Sequence, residues 1–135
     1  MSRPECEGET PARRLTTTVS GGADAASAAR RALAPVRSLL EGTLADDVAL
    51  LVSELVTNSV RHAGARSGEP IDLHVSAWPR RVRVEVSDPG GGFAVREPRP
   101  KPDGTSGWGL YLVDRLADRW GAADGTVWFE MTRRG

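Results

Sequence analysis

Apolar and polar residues alternate with period two over "IDLHVSAW" (71–78) and "RVRVEVSD" (81–88), which predicts two strands that each bury one face. The "WPR" between them is short enough to close an antiparallel hairpin. Upstream the period changes to 3.6. Val48, Leu51, Val52, Leu55 and Ser59 form one small or apolar arc, with Asp47, Glu54, Asn58 and Arg61 as a polar stripe alongside. Thr43 and Asp46 have capping-box spacing, and Gly64 stands where a left-handed residue would end that helix.

The remaining elements follow from composition and punctuation. "LTTTVS" (15–20) is β-branched enough for an edge strand, which Gly21-Gly22 ends. From Ala23 to about Leu40, alanine, leucine and arginine favour a helix, with a kink or break at Pro35. After "DPGGGF", the stretch "AVREPRPKPDGTS" excludes regular structure. "GWGLYLVDRLADRWG" resumes the helical period through Leu110, Val113, Leu116 and Ala117, and "TVWFEM" reads as a closing strand. Residues 1–14 are polar and broken by prolines, so they read as a disordered tail before a single domain at 15–135. The hairpin rules out a wholly parallel doubly wound sheet. The fold class expected is an α+β sandwich, a mixed and mainly antiparallel sheet with helices packed on one face.

Composition narrows the function classes. With 135 residues and 39% hydrophobic content, the chain suffices for one domain with a real core. Its formal net charge of zero provides no overall pull toward nucleic acid or an anionic membrane, and the alternating Arg81 and Arg83 read as a solvated strand face. The single Cys6 cannot close an internal disulfide, and no Cys/His spacing suggests zinc. Neither a signal-type apolar run nor a stretch near the roughly 20 residues of a membrane span is present, so a cytoplasmic location is expected.

Three motifs carry candidate chemistry. Glu54 and Asn58 lie one turn apart at the border of the buried helix arc, so their oxygens can converge on one point. A carboxylate there can orient water or take a proton, and a neutral amide oxygen suits magnesium; a solvated helix edge has the same pattern. Asp88-Pro89-Gly90-Gly91-Gly92 follows a strand directly. Its glycines would let backbone approach a flat ligand while Asp88 accepts from an exocyclic amine, although a tight turn reads alike. Gly107-Trp108-Gly109-Leu110 opens a helix, where free N–H groups and the positive dipole end make a phosphate seat, or simply a flexible start.

In this order the three resemble the N, G1 and G2 boxes of the GHKL (histidine-kinase-like) ATPase superfamily. "SELVTNSVRHAG", "VSDPGGGF" and "GWGLYLVDRLADRWG" resemble in particular the small bacterial anti-sigma factor serine/threonine kinases. The resemblance implies a Bergerat-type ATP-binding fold, with ATP and Mg2+ as its ligands. It implies that Asn58 binds the metal, that Glu54 is the catalytic base or water-orienting carboxylate, and that Asp88 binds the adenine amine. Gly90 and Gly92 would line the base pocket, Gly107, Gly109 and Leu110 would meet the phosphates, and Thr126 would support the adenine aspartate. The loop at 94–106 corresponds to a short ATP lid. Arg96, Arg99 and Lys101 either reach the phosphates from it or form a solvated basic loop, and Trp108 occupies a variable position of the G2 pattern.

The function implied is an ATP-dependent serine/threonine kinase acting on an antagonist protein and binding a sigma factor, with a homodimer compatible and no direct nucleic-acid or membrane partner. A nucleotide-gated binding module that has lost phosphoryl transfer is the alternative. A histidine kinase fragment would need a phosphoacceptor on a dimerising helix, whereas His62 lies on the site helix and His74 on a strand. A P-loop ATPase is excluded, since GxxxxGK[ST] is absent and the sole Lys101 has proline on each side.

Overall fold

In the computed structural model, residues 10–62, 70–87, 108–123 and 125–133 are described. Their elements run β1 (Arg13–Ser20), α1 (Ala25–Ala32), α2 (Ala34–Arg37), α3 (Leu44–His62), β2 (Pro70–Trp78), β3 (Arg81–Ser87), α4 (Trp108–Leu116), β4 (Arg119–Ala123) and β5 (Thr126–Thr132). The strands form one sheet in the order β1-β2-β3-β5-β4, with every pairing antiparallel. The helices pack on one face of it, as the α+β expectation required.

Alternation determines which face is which. Ile71, Leu73, Val75 and Ala77 of β2, Val82, Val84 and Val86 of β3, and Val127, Phe129 and Met131 of β5 all point into the helix layer and are buried. Against them α3 lays its arc of Val48, Leu51, Val52, Leu55 and Ser59, each with no exposed surface. Asp47, Glu54 and Asn58 are half-buried alongside, as their stripe predicts. The hairpin closes through Pro79 and Arg80, with Trp78 paired to Arg81.

Several expectations need correction. The first strand is at the edge as expected, but it begins at Arg13, so Arg13 and Arg14, read as part of a disordered tail, are paired with β2. The helix over 23–40 is two short helices, broken at Leu33 rather than at Pro35 itself. Pro35 occupies the first turn of α2, where its missing N–H and fixed φ are tolerated, so the break falls just upstream. At the start of α3 the hydroxyl of Thr43 is 3.4 Å from the carboxylate of Asp47, while Asp46 accepts from Arg37 at 3.0 Å; the capping-box spacing is used for side-chain contacts. Gly64 lies outside the described residues.

The largest difference is at the C-terminal side. α4 ends at Leu116, and Arg119–Ala123 is a strand, not the last turn of a helix. The backbone N–H of Asp118 donates to Glu130 O at 2.8 Å, and its carboxylate accepts from the backbone N–H of Thr132 at 2.7 Å, which turns the chain into the sheet. Leu116, expected in the core, is 40% exposed as a result, whereas Val113 is fully buried. Gly125, at φ 79°, supplies the left-handed residue that the β4–β5 turn needs.

Candidate functional site

The candidate site starts on α3. Its nineteen residues carry it across the sheet, and its buried arc seats it against β3 and β5. Glu54 and Asn58 therefore have fixed backbones at the border between core and surface. No hydrogen bond ties either side chain to another described residue, which leaves both sets of oxygens available to a ligand.

Beside them is a residue that sequence reasoning assigned only to packing. Ser59 is fully buried, yet its Oγ has no hydrogen-bond partner among the described residues. Leaving a hydroxyl buried without a partner costs about 1–3 kcal/mol, and Ser59 carries that cost on the core-facing arc, one position along the chain from Asn58. A serine within an apolar arc was the available signal. Ser53, earlier on the same helix, contrasts with it: it donates to Ala49 O at 2.7 Å and accepts from Arg30 at 3.1 Å.

The end of β3 and the start of β5 supply the second part. Thr126 Oγ1 is 2.8 Å from Ser87 Oγ, and Ser87 immediately precedes Asp88 in the chain. Thr126 is thus anchored at the strand end from which the expected base-binding segment departs, and Ser87 is a partner that the sequence did not single out. Asp88, Gly90, Gly92, Gly107 and the basic residues Arg96, Arg99 and Lys101 lie outside the described residues. Gly109 and Leu110 fall in the first turn of α4, which packs against α3. His62 is the last residue of α3, and His74 is exposed with Nδ1 3.4 Å from the Thr16 hydroxyl.

A cation at this site would need oxygens from its substrate. No group of three or more His, Cys, Asp or Glu gathers among the described residues. One neutral amide oxygen plus phosphates and water is nonetheless the kind of donor set magnesium accepts. The cavity of about 390 Å³ between Gly42, Leu44, Asp47 and Leu116 belongs to the other end of α3. Its helix start is fourteen residues from Asn58, or roughly 21 Å along the axis at 1.5 Å per residue, so it is not part of this site.

The sheet's outer face has denser polar chemistry, and its use is structural. Glu130 is 7% exposed and accepts from Arg83 at 2.9 Å and from Arg119 Nε at 3.1 Å. Burial pushes the Glu130 carboxyl upward, but the two guanidiniums more than offset this and hold it below the ordinary value. Arg83 also lies over the Trp128 ring at 4.4 Å, and Arg81 over Trp78 at 4.3 Å. The arginines expected to be simply solvated are half-buried and engaged. Trp78 and Trp128 serve as their platforms, and Trp120 donates to Asp114 at 3.0 Å. Gly121 sits under Trp128, where any Cβ would come 2.7 Å from the indole nitrogen.

No described helix is long and apolar enough to cross a membrane. A family model described as "Histidine kinase-like ATPase domain" matches residues 19–131, from the end of β1 to the end of β5. No curated protein matches the chain.

Proposed function

Because the chain belongs to the histidine kinase-like ATPase domain family, which implies ATP binding, we propose that it is a regulator of the anti-sigma-factor type that phosphorylates a serine or threonine of an antagonist protein. The observation that supports this reading is the pair on α3: Glu54 and Asn58 are half-buried, one turn apart and bonded to no other described residue.

The chemistry asked of the chain is mainly positioning. Glu54 accepts the proton of the acceptor hydroxyl as its oxygen attacks the γ-phosphorus of ATP; the bond to the β-phosphate oxygen breaks, and ADP leaves. Asn58 presents its amide oxygen to a magnesium ion, which would neutralise developing phosphate charge. Asp88 selects adenine by accepting from its amine, a donor that guanine lacks at that position. The N–H groups in the first turn of α4, with Gly107 as the motif reads it, receive the phosphates. The sigma factor and the antagonist are the partners this reading names, and a cytoplasmic location goes with them.

The test combines binding and turnover. Glu54→Gln keeps size and most hydrogen bonding but removes the base, so Mg·ATP binding should stay near normal while transfer to a co-purifying antagonist falls by about 10²–10⁴-fold. Asp88→Ala should weaken ATP and erase its preference over GTP. Equal transfer by wild type and Glu54→Gln would make Glu54 a bystander. ATP binding without transfer to any antagonist would replace the kinase with a nucleotide-gated binding module.

A further inference from the structure

Among the described residues two large apolar side chains are exposed, Leu50 at 42% and Leu116 at 40%. Leucines scattered singly over a surface need no explanation, but these two flank the same aspartate. On α3, Asp47, Leu50, Glu54 and Asn58 follow one another at steps of three, four and four, so they form one stripe in which Leu50 is the apolar member. From α4, Leu116 lines the cavity of about 390 Å³ together with Asp47, and Leu44 and Met131 contribute to its floor. Nothing in nucleotide binding calls on either leucine or on that cavity.

We propose that this stripe is the docking surface for the phosphoacceptor protein. An extended segment of that protein lies along it, with its serine or threonine at Glu54, the adjoining chain over Leu50, and an apolar side chain about three positions away in the cavity beside Leu116. This rests on the kinase function proposed above, of which it gives the partner surface. The direction of approach supports it. In phosphoryl transfer the attacking and leaving oxygens are roughly in line, so acceptor and nucleotide reach the γ-phosphorus from opposite sides. The first turn of α4 is the phosphate seat in that function, and its last residue, Leu116, lies beside the start of α3. The two packed helices therefore run in opposite directions, and the phosphates belong toward the Asn58 end of the stripe. The acceptor comes from the other end. A hydroxyl within about 2.6–3.2 Å of Glu54 brings the chain attached to it onto the preceding turn of α3, where Leu50 stands.

Length and chemistry agree with this path. Glu54 and Asp47 are seven residues apart, a rise of roughly 10.5 Å at 1.5 Å per residue. An extended chain covers that distance in about three residues, at roughly 3.3–3.6 Å each. Asp47, Asp118 and Arg133 also line the cavity, and their charges largely cancel, so an apolar anchor suits it better than a charged one. A small molecule could fill the cavity but would leave Leu50, a turn further along α3, uncovered. A protein segment covers both leucines at once.

The test uses the full chain with the antagonist to which it transfers phosphate, and separates KM from kcat. Leu50→Gln and Leu116→Gln remove apolar surface without placing a charge beside Glu54, and glutamine retains helix propensity. Each should raise KM for the antagonist about five- to ten-fold, while kcat at saturating antagonist, Mg·ATP affinity and the urea midpoint stay near those of the wild type. Leu50→Met, which keeps the apolar area, should keep the wild-type KM. In the antagonist, alanine in place of the apolar residue about three positions from the phosphorylated one should raise KM similarly, and should add little when combined with Leu116→Gln. Unchanged KM in both leucine variants, while the wild type transfers phosphate, would overturn the docking surface and leave the kinase standing. So would an antagonist with no apolar residue at that spacing. ATP binding by the wild type without transfer to any antagonist would overturn the kinase and the docking surface together.

Discussion

The two faces of the sheet use the same strands for opposite purposes. On the helix side, Val84 and Phe129 are paired neighbours with no exposed surface, and stability there is apolar burial. One residue along, on the outer side, Arg83 and Glu130 are paired neighbours joined by an ion pair, with Trp128 stacked beneath the guanidinium. The lesson concerns where function sits. The densest cluster of charge and aromatic rings is consumed by internal contacts that hold β4 and β5 to the sheet. Glu54 and Asn58, by contrast, lie on the apolar side, at the rim of α3, with no bonds to other described residues. Perturbed charge is a pointer to function only where its partners leave something unspent.

The difference predicts unequal damage. Phe129→Ala removes a fully buried ring from the side of the sheet that has no polar alternative, so a loss of about 3–5 kcal/mol is expected, read as a fall in the urea midpoint. A loss below about 1 kcal/mol would mean that the helix layer collapses into the space, and the contrast between faces would be weaker than drawn.

Glu130→Gln strikes the outer face. It leaves the amide able to accept from Arg83 and Arg119 but removes the charge. Arg119 is 54% exposed at its side chain and Arg83 33%, so solvent screens the pair and the expected loss is about 1–2 kcal/mol. Its pH dependence has a definite sign. The folded carboxyl titrates below its ordinary value of 4.5, so the unfolded chain takes up the proton first. The contribution is complete above that value and is lost as pH falls through the folded pKa. Urea midpoints of wild type and variant should differ at about pH 7 and draw together as the pH falls below 4.5 through the folded pKa. A constant difference at both would assign the loss to shape rather than charge.

What the sequence made legible follows the same division. The alternation of Val82, Val84 and Val86 with Arg81, Arg83 and Glu85 announced both the strand and its faces, because a strand's period is local. The arc from Val48 to Ser59 likewise placed Glu54 and Asn58 on the edge of α3. The outer-face network was not legible, since Arg83 and Glu130 are 47 positions apart and meet only through the sheet register. β4 was missed because "RWGAA" has no clear alternation and follows a helical run without a proline or glycine break. Asp124-Gly125 was the overlooked cue, a dipeptide suited to a two-residue hairpin turn. Within the site, Ser59 counted as a small member of an apolar arc, and nothing in its spacing distinguishes a packed hydroxyl from an orphaned one. Asp88, Gly90, Gly92 and Gly107 remain readings of the motif.

The smallest effect sharpens the comparison most, because it holds chemistry and length nearly constant and changes only burial. Arg37 and Asp46 form an ion pair at 3.0 Å, against 2.9 Å for Arg83 and Glu130. Their side chains are 38% and 80% exposed, whereas that of Glu130 is 9% exposed. In water-facing surroundings the attraction is screened, and ordering two side chains offsets part of it. Asp46 also sits in the first turn of α3, where its charge favours the helix dipole, so Asp46→Asn alone would mix two effects. A double-mutant cycle with Arg37→Ala separates them. The coupling expected is about 0.2–1 kcal/mol, and it should shrink further in about 1 M salt. The corresponding cycle for Arg83 and Glu130 should keep more of its coupling in salt, because Glu130 is shielded from solvent on most sides. If both cycles gave equal coupling and equal salt sensitivity, burial would not be what separates structural charge from surface charge in this sheet.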